Sequence, residues 1–264
     1  MRLSLVASLA LIGICFYAVC AGASPVSLGD ATSLKTASPV FIYTAAESSY
    51  GVAADDTDFL FRLGMLEGHL IIGHDLLKAN KPALALPHFG HPVRELYADL
   101  SDYLEKKKAP AFDDKLIKLE AAVSAAPDSP DTETLYQSTI AAVHQARQTV
   151  PEQVRNSVPE MIRVCADTID AASGEYGEAL EHGRVETIVE YHDSRGYLSY
   201  VAQELSHLME THKDAADQSL LTRFKTVLAK AQYIVEPLIP GPVPRGTVSQ
   251  YRAVASEAVD IAKK

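Results

Sequence analysis

Four of the chain's nine histidines, His69, His74, His88 and His91, fall in the stretch RLGMLEGHLIIGHDLLKANKPALALPHFGHPVRELY, from Arg62 to Tyr97. Even placement would put about one histidine there. Met65, Glu67, Asp75 and Glu95 stand beside them. Imidazole combined with carboxylate suits zinc, iron or oxidised copper, and a methionine sulfur in the set favours copper. The candidate metal ligands are therefore His69, His74, His88, His91, Glu95 and Met65, with His192 as the best contributor from farther along the chain. The competing role for each histidine is an ordinary polar residue at a helix junction, bonded to backbone or water.

For these side chains to meet, the segment must fold back on itself. Leu63, Leu66, Leu70, Ile71 and Leu77 recur at helical spacing, which predicts an amphipathic helix over about 57–79. One residue of the run Asp55 to Asp58 caps its start, and Asn80-Lys81-Pro82 ends it. An antiparallel return sets His69 against His91 and His74 against His88, giving two rungs across a helical hairpin. Pro87 and Pro92 interrupt the return, and Pro92 suits the first position of a new helix with His91 at its N-cap. Glu95 then lies one turn in, on the side of His91.

Past the hairpin, the pattern predicts a helix from Leu96 to Lys108 and another near 112–125. Two more fall within 131–172, split around Val150-Pro151, with Pro159 kinking or restarting the second. Residues 174–213 read as one long periodic segment with Gly183 and Gly196 as bends. One of its faces carries Leu198, Val201, Leu205 and Leu208. Another carries Glu186, Glu190, Asp193, Tyr197, Tyr200, Glu204 and His207, either a solvated stripe or the second wall of a metal site. Helices at 215–236 and about 247–262 flank a proline-rich loop, Pro237 to Pro244, that cannot be helical. The expected fold is an all-α bundle of seven or eight helices in one domain, 55–264, after a flexible leader at 24–54.

The N-terminus has its own signature. Arg2 precedes a nearly unbroken apolar or small run from Leu3 to Cys20, and Ala21-Gly22-Ala23 offers a cleavage site. Residues 1–23 thus read as a secretory signal peptide, which implies a periplasmic or secreted protein with no stable membrane span after cleavage. Of the three cysteines, cleavage leaves Cys165 alone, expected as a buried small hydrophobe that forms no internal disulfide. A formal net charge of −10 argues against nucleic acid or anionic lipid as partner. Dinucleotide-binding, P-loop, serine-elbow and H-E-x-x-H motifs are missing, and no nucleophile–base–orienter set argues for an enzyme.

An exported, acidic, helical chain with glycine–histidine pairs in a helical motif resembles the imelysin and EfeO-like periplasmic proteins. Those are bundles associated with iron uptake and carry G-x-H-x-x-E. Here Gly90-His91-Pro92 is followed by Val93, Arg94 and Glu95, so the acid stands one residue late, and no family residue is carried over. The leading expectation is an exported bundle that binds a copper, zinc or iron ion through the His-rich hairpin, for uptake, buffering or delivery. Two alternatives stand beside it. One is an envelope interaction or scaffold protein with no metal, and the other is a noncovalent haem bundle with Met65 or a histidine as axial ligand.

Overall fold

The computed structural model describes residues 53–263. The expected signal peptide, and the leader up to residue 52, lie outside the described residues. What is described is all-α apart from one two-residue-per-strand hairpin. The chain order is α1 (Asp56–Lys78), α2 (Pro82–His91), a π-turn (Pro92–Leu96), α3 (Tyr97–Lys107), α4 (Asp113–Ala125), α5 (Pro130–Arg147) and α6 (Glu152–Arg155). Then come α7 (Val158–Ala179), β1 (Leu180–Glu181), β2 (Arg184–Val185), α8 (Ile188–Thr211), α9 (Ala215–Ile234) and α10 (Val248–Ala262). The ten α-helices exceed the expected seven or eight, partly because α6 is a single turn and partly because the long segment divides.

Helix α1 is central rather than amphipathic. It is buried along most of its length, polar residues Arg62, Glu67, His69 and His74 included. The side chain of Asp55 accepts the Asp58 N–H and caps it, an interaction worth about 1 kcal/mol. Helices α2, α5, α7 and α8 cover it, so polar groups on every face of α1 must find partners within the protein.

Helices α1 and α8 pack unusually close, and glycine is the reason. A Cβ on Gly196 would fall within 3 Å of the Gly68 carbonyl oxygen, and one on Gly64 within 3 Å of the Tyr200 ring. Gly68 similarly abuts Tyr197. Because Gly64 meets Tyr200 while Gly68 meets Gly196, the helices run antiparallel. Gly196 is therefore a packing notch inside α8, not the bend expected from sequence.

The predicted single helix over 174–213 is two helices. Helix α7 stops at Ala179, and a tight hairpin pairs Leu180 with Val185 and Glu181 with Arg184. His182 and Gly183 occupy its turn, both with positive φ (51° and 74°), as a two-residue hairpin turn requires. Glycine at that corner ends the helical period in a way the spacing of apolar residues does not reveal.

The proline loop after α9 is tied down through its carbonyls. Tyr191 donates to Pro237 O, Arg195 to Val235 O and Tyr176 to Gly246 O. Cys165 is wholly buried in the core, and burial pushes its thiol pKa well up.

Candidate metal centre

Three elements bring one cluster together. His69 comes from the middle of α1, His88 and His91 from the end of α2, and Asp193 from the second turn of α8. Two of the histidine ring atoms, His69 Nδ1 and His88 Nδ1, lie 2.7 Å from Asp193 Oδ1. His91 Nδ1 is 3.4 Å from Asp193 Oδ2. His69, His88 and Asp193 are 3%, 0% and 2% exposed. One donor atom from each of these three lies within 4.8 Å of the others, a grouping able to hold a metal ion.

The expected hairpin is present, and one of its two rungs formed. His69 and His91 face each other with ring centroids 5.4 Å apart. The other rung did not. His74 turns away to Glu133, Nε2 to Oε2 2.7 Å, and stacks on Tyr136. His88 instead joins His69, centroids 6.4 Å apart. Helical geometry explains the difference, since positions five apart are about 140° apart around α1, whereas His88 and His91, three apart, share a face of α2. Helix α2 also runs through Pro87 and passes directly into the π-turn. His91 is thus both the last residue of α2 and, as expected, the residue before the element that Pro92 opens, a π-turn, although its backbone stays helical and its side chain makes no capping bond.

The remaining candidates sit around this group. His192, fully buried, stacks edge-on to His88 with centroids 5.5 Å apart, and its Nε2–H donates to the Leu238 carbonyl at 2.9 Å. Glu95 is half-buried and bears on the group through its charge on His91. Met65 is packed in the apolar core. A nitrogen and oxygen donor set is what remains.

Proton placement at this cluster leaves lone pairs over. Burial would raise the Asp193 pKa, yet the three imidazoles hold it well below the usual carboxylate range, so it is a carboxylate. His88 Nδ1–H donates to it. Burial outweighs that bond and keeps the His88 pKa below its ordinary value. The neutral ring therefore presents a bare Nε2, buried and without a hydrogen-bond partner among the described residues. Burial likewise brings the His192 pKa down to about 4, and its Nδ1 lone pair is buried without a partner too. His69 Nε2 pairs with the Tyr197 hydroxyl at 3.0 Å, while its Nδ1 lies close to Asp193 but off the direction a hydrogen bond needs. His91 behaves differently: burial opposes its charge, but Asp193 and Glu95 raise its pKa overall. Buried lone pairs with nothing to accept are costly unless something electrophilic fills the gap.

Glu175 on α7 adds to the case. Burial, with Asp193, Glu178 and Glu190 nearby, pushes its pKa up to about 8. A carboxyl held neutral by surrounding carboxylates marks a region short of positive charge. One oxygen of Glu190, Oε2, is also buried without a partner among the described residues.

Sequence spacing anticipated part of this. Asp193 and Tyr197 stand in the acid-and-tyrosine stripe of α8, and the structure buries Asp193, Tyr197, Tyr200 and Glu204 of that stripe against α1, while Glu186 and His207 stay exposed. The middle of the stripe is therefore buried and its ends are solvated. Glu175 was missed, because nothing in its local sequence signals a site brought near by the α7–α8 hairpin.

Residues 151–242 match the model of an iron permease-associated 4-helix bundle domain. The match covers about a third of the chain and spans α6 to α9 with the proline loop. It therefore contains Glu175, Glu190, His192, Asp193 and Tyr197, while His69, His88 and His91 lie upstream of it. It supports the helical-bundle and iron-related side of the imelysin-like resemblance, though not membership of that particular family. No curated protein and no solved structure matches the chain. Among the described residues no helix is long and apolar enough to cross a membrane.

Proposed function

We propose that this protein is an exported helical bundle that binds an iron ion as cargo, in the service of iron uptake. The observation that carries the reading is the buried group of His69, His88 and Asp193, whose donor atoms converge while the His88 Nε2 lone pair is left unpartnered. Two imidazoles and one carboxylate, with positions left open, form a donor set that suits non-haem ferrous iron. His91 stands at the edge of the group and is the only one of its histidines with appreciable exposure, its side chain 22% accessible. That makes it the natural first contact for an arriving ion. Tyr197, bonded to His69 Nε2, fixes the orientation of that ring, as outer partners of metal-binding histidines do.

Among the metals expected from sequence, iron is favoured by the iron permease-associated match and by donors that are nitrogen and oxygen. Copper loses the thioether argument once Met65 is in the core. The bundle would deliver its ion to a membrane permease, which gives the expected envelope partner a specific class.

Elemental analysis of untagged protein purified without chelator tests the reading, alongside a His88→Ala variant. The expected result is near-stoichiometric iron in the natural protein and at least a hundredfold weaker ferrous binding in the variant, with helicity retained by circular dichroism. A protein that takes up no transition metal, or a variant that binds as well as the parent, would return the cluster to the scaffold role.

A further inference from the structure

A second polar site lies farther along the same pair of helices. A cleft of about 350 Å³ opens between α1, α5, α6 and α8, and every side chain that lines it carries a polar group. That volume is within the range of small-molecule pockets, which are usually lined mainly by apolar groups. A lining with a hydrogen-bonding group on every residue favours a strongly polar occupant.

The charges in its wall can be matched one by one. Glu204, buried on α8, accepts two hydrogen bonds from Arg147 of α5, one of them at 2.7 Å. Glu67, buried on α1, accepts from His144 Nε2 at 2.8 Å. Glu204 is thus neutralised by Arg147, and Glu67 is bonded by His144, whose pKa that bond raises. Arg155 of α6 is left over. Its Nη1 donates to the side chain of the adjacent Asn156, while its Nε–H is buried with no acceptor among the described residues. Amide side chains of Gln148 and Gln203 complete the surface beside it.

We infer that this cleft binds a small monoanionic organic acid, with its carboxylate on the Arg155 guanidinium and its neutral polar groups on Gln148 and Gln203. One unmatched guanidinium calls for one anionic group, since a second negative charge would meet Glu67 and Glu204. Among the described residues Arg155 pairs with no carboxylate, and a planar guanidinium binds carboxylate through two parallel hydrogen bonds. Amides supply both donors and acceptors, which fits hydroxyl or carbonyl substituents. The inference is independent of the metal reading, because none of the cleft's polar groups belongs to the His69–His88–Asp193 group.

Calorimetric titration of the full chain, stripped of metal with chelator, tests it. Gluconate is the probe, glucitol its neutral counterpart and inorganic phosphate a different anion. Binding of gluconate but not glucitol is expected, weakened at least tenfold in Arg155→Gln and in Gln203→Leu. Arg163→Gln, an exposed arginine of α7 that pairs with Glu160, leaves it unchanged. Circular dichroism shows whether each variant folds. Failure of gluconate to bind at millimolar concentration, equal binding of glucitol, a preference for phosphate, or undiminished binding in both cleft variants would each overturn the proposal.

Discussion

The two polar regions on the α1–α8 seam differ in what they lack. At the end nearer the hairpin, His88 Nε2 and His192 Nδ1 are lone pairs with no proton to accept. At the other end, the buried carboxylates already have their hydrogen-bond partners, Arg147 and His144, and the leftover group is an N–H with no acceptor among the described residues, Arg155 Nε. The first deficit is relieved by a Lewis acid, the second by an anion. Both regions lie along the same two helices and both contain histidine, so residue type alone does not separate them. The sign of the unmatched group does.

The contrast predicts opposite responses to mutation. The largest effect is expected at the matched end. Glu204→Gln leaves the Arg147 guanidinium, only 18% exposed, without its counter-charge, which should cost about 3–5 kcal/mol of stability as broken buried pairs do. Urea denaturation measures this, and metal affinity corrected for the folded fraction should not change. Comparable losses of stability and of iron binding, persisting in the folded fraction, would erase the distinction between the ends.

At the unmatched end the ordering reverses. Asp193→Asn removes the carboxylate that three imidazoles share, and ferrous affinity should fall at least a hundredfold, or about 2.7 kcal/mol at 1.36 kcal/mol per decade. Because the imidazoles favour the charged form of Asp193, the metal-free variant should lose stability as well, so affinities are compared at equal folded fraction. Equilibrium titration with a competing chelator gives the first number and thermal unfolding the second.

The smallest effect is one of pH. Glu175, with its pKa raised to about 8, binds a proton in the folded state that the unfolded chain has already released above pH ~4.3. The folded state therefore holds more protons between these values, and its stability falls as pH rises through that window. Glu175→Gln should raise the melting temperature of metal-free protein at pH 8.5 and leave it unchanged near pH 4. A variant that melts lower at pH 8.5 would show that the carboxyl is stabilised where it sits, rather than strained.

Much of this arrangement was legible before the structure, and the gaps have physical causes. Helix bounds followed from proline, capping residues and apolar spacing, so α1 and α10 fall within two residues of their expected limits. The all-α class followed likewise. The concentration of histidines located the centre, and the stripe on α8 supplied its far wall. Sequence could not choose between wall and solvated face, because Gly64, Gly68 and Gly196 set the helix spacing and their effect depends on what they meet. The hairpin after α7 was lost because helical periodicity carries on across His182-Gly183. Nothing in the sequence around His144 marks it, because its partner, Glu67, is 77 positions away.

The π-turn at Pro92–Leu96 has a consequence for how the centre is inherited. A π-turn inside a helix holds one residue more than the α-helical path would. The wide turn absorbs that extra residue, so deleting one there, such as Val93, would let the backbone relax to α geometry with the flanking segments still in register, whereas a deletion in the regular part of α2 would rotate its two sides by about 100°. Helix α3 is anchored by Tyr103, which bonds Asp56 and stacks on Phe59 with centroids 4.4 Å apart. With α3 so held, a deletion in the π-turn would leave His88 and His91 facing Asp193. Chain length at this point is therefore the tolerant part of the centre, and relatives that share every ligand but are one residue shorter between 91 and 97, with continuous α-helix there, would be expected to keep it.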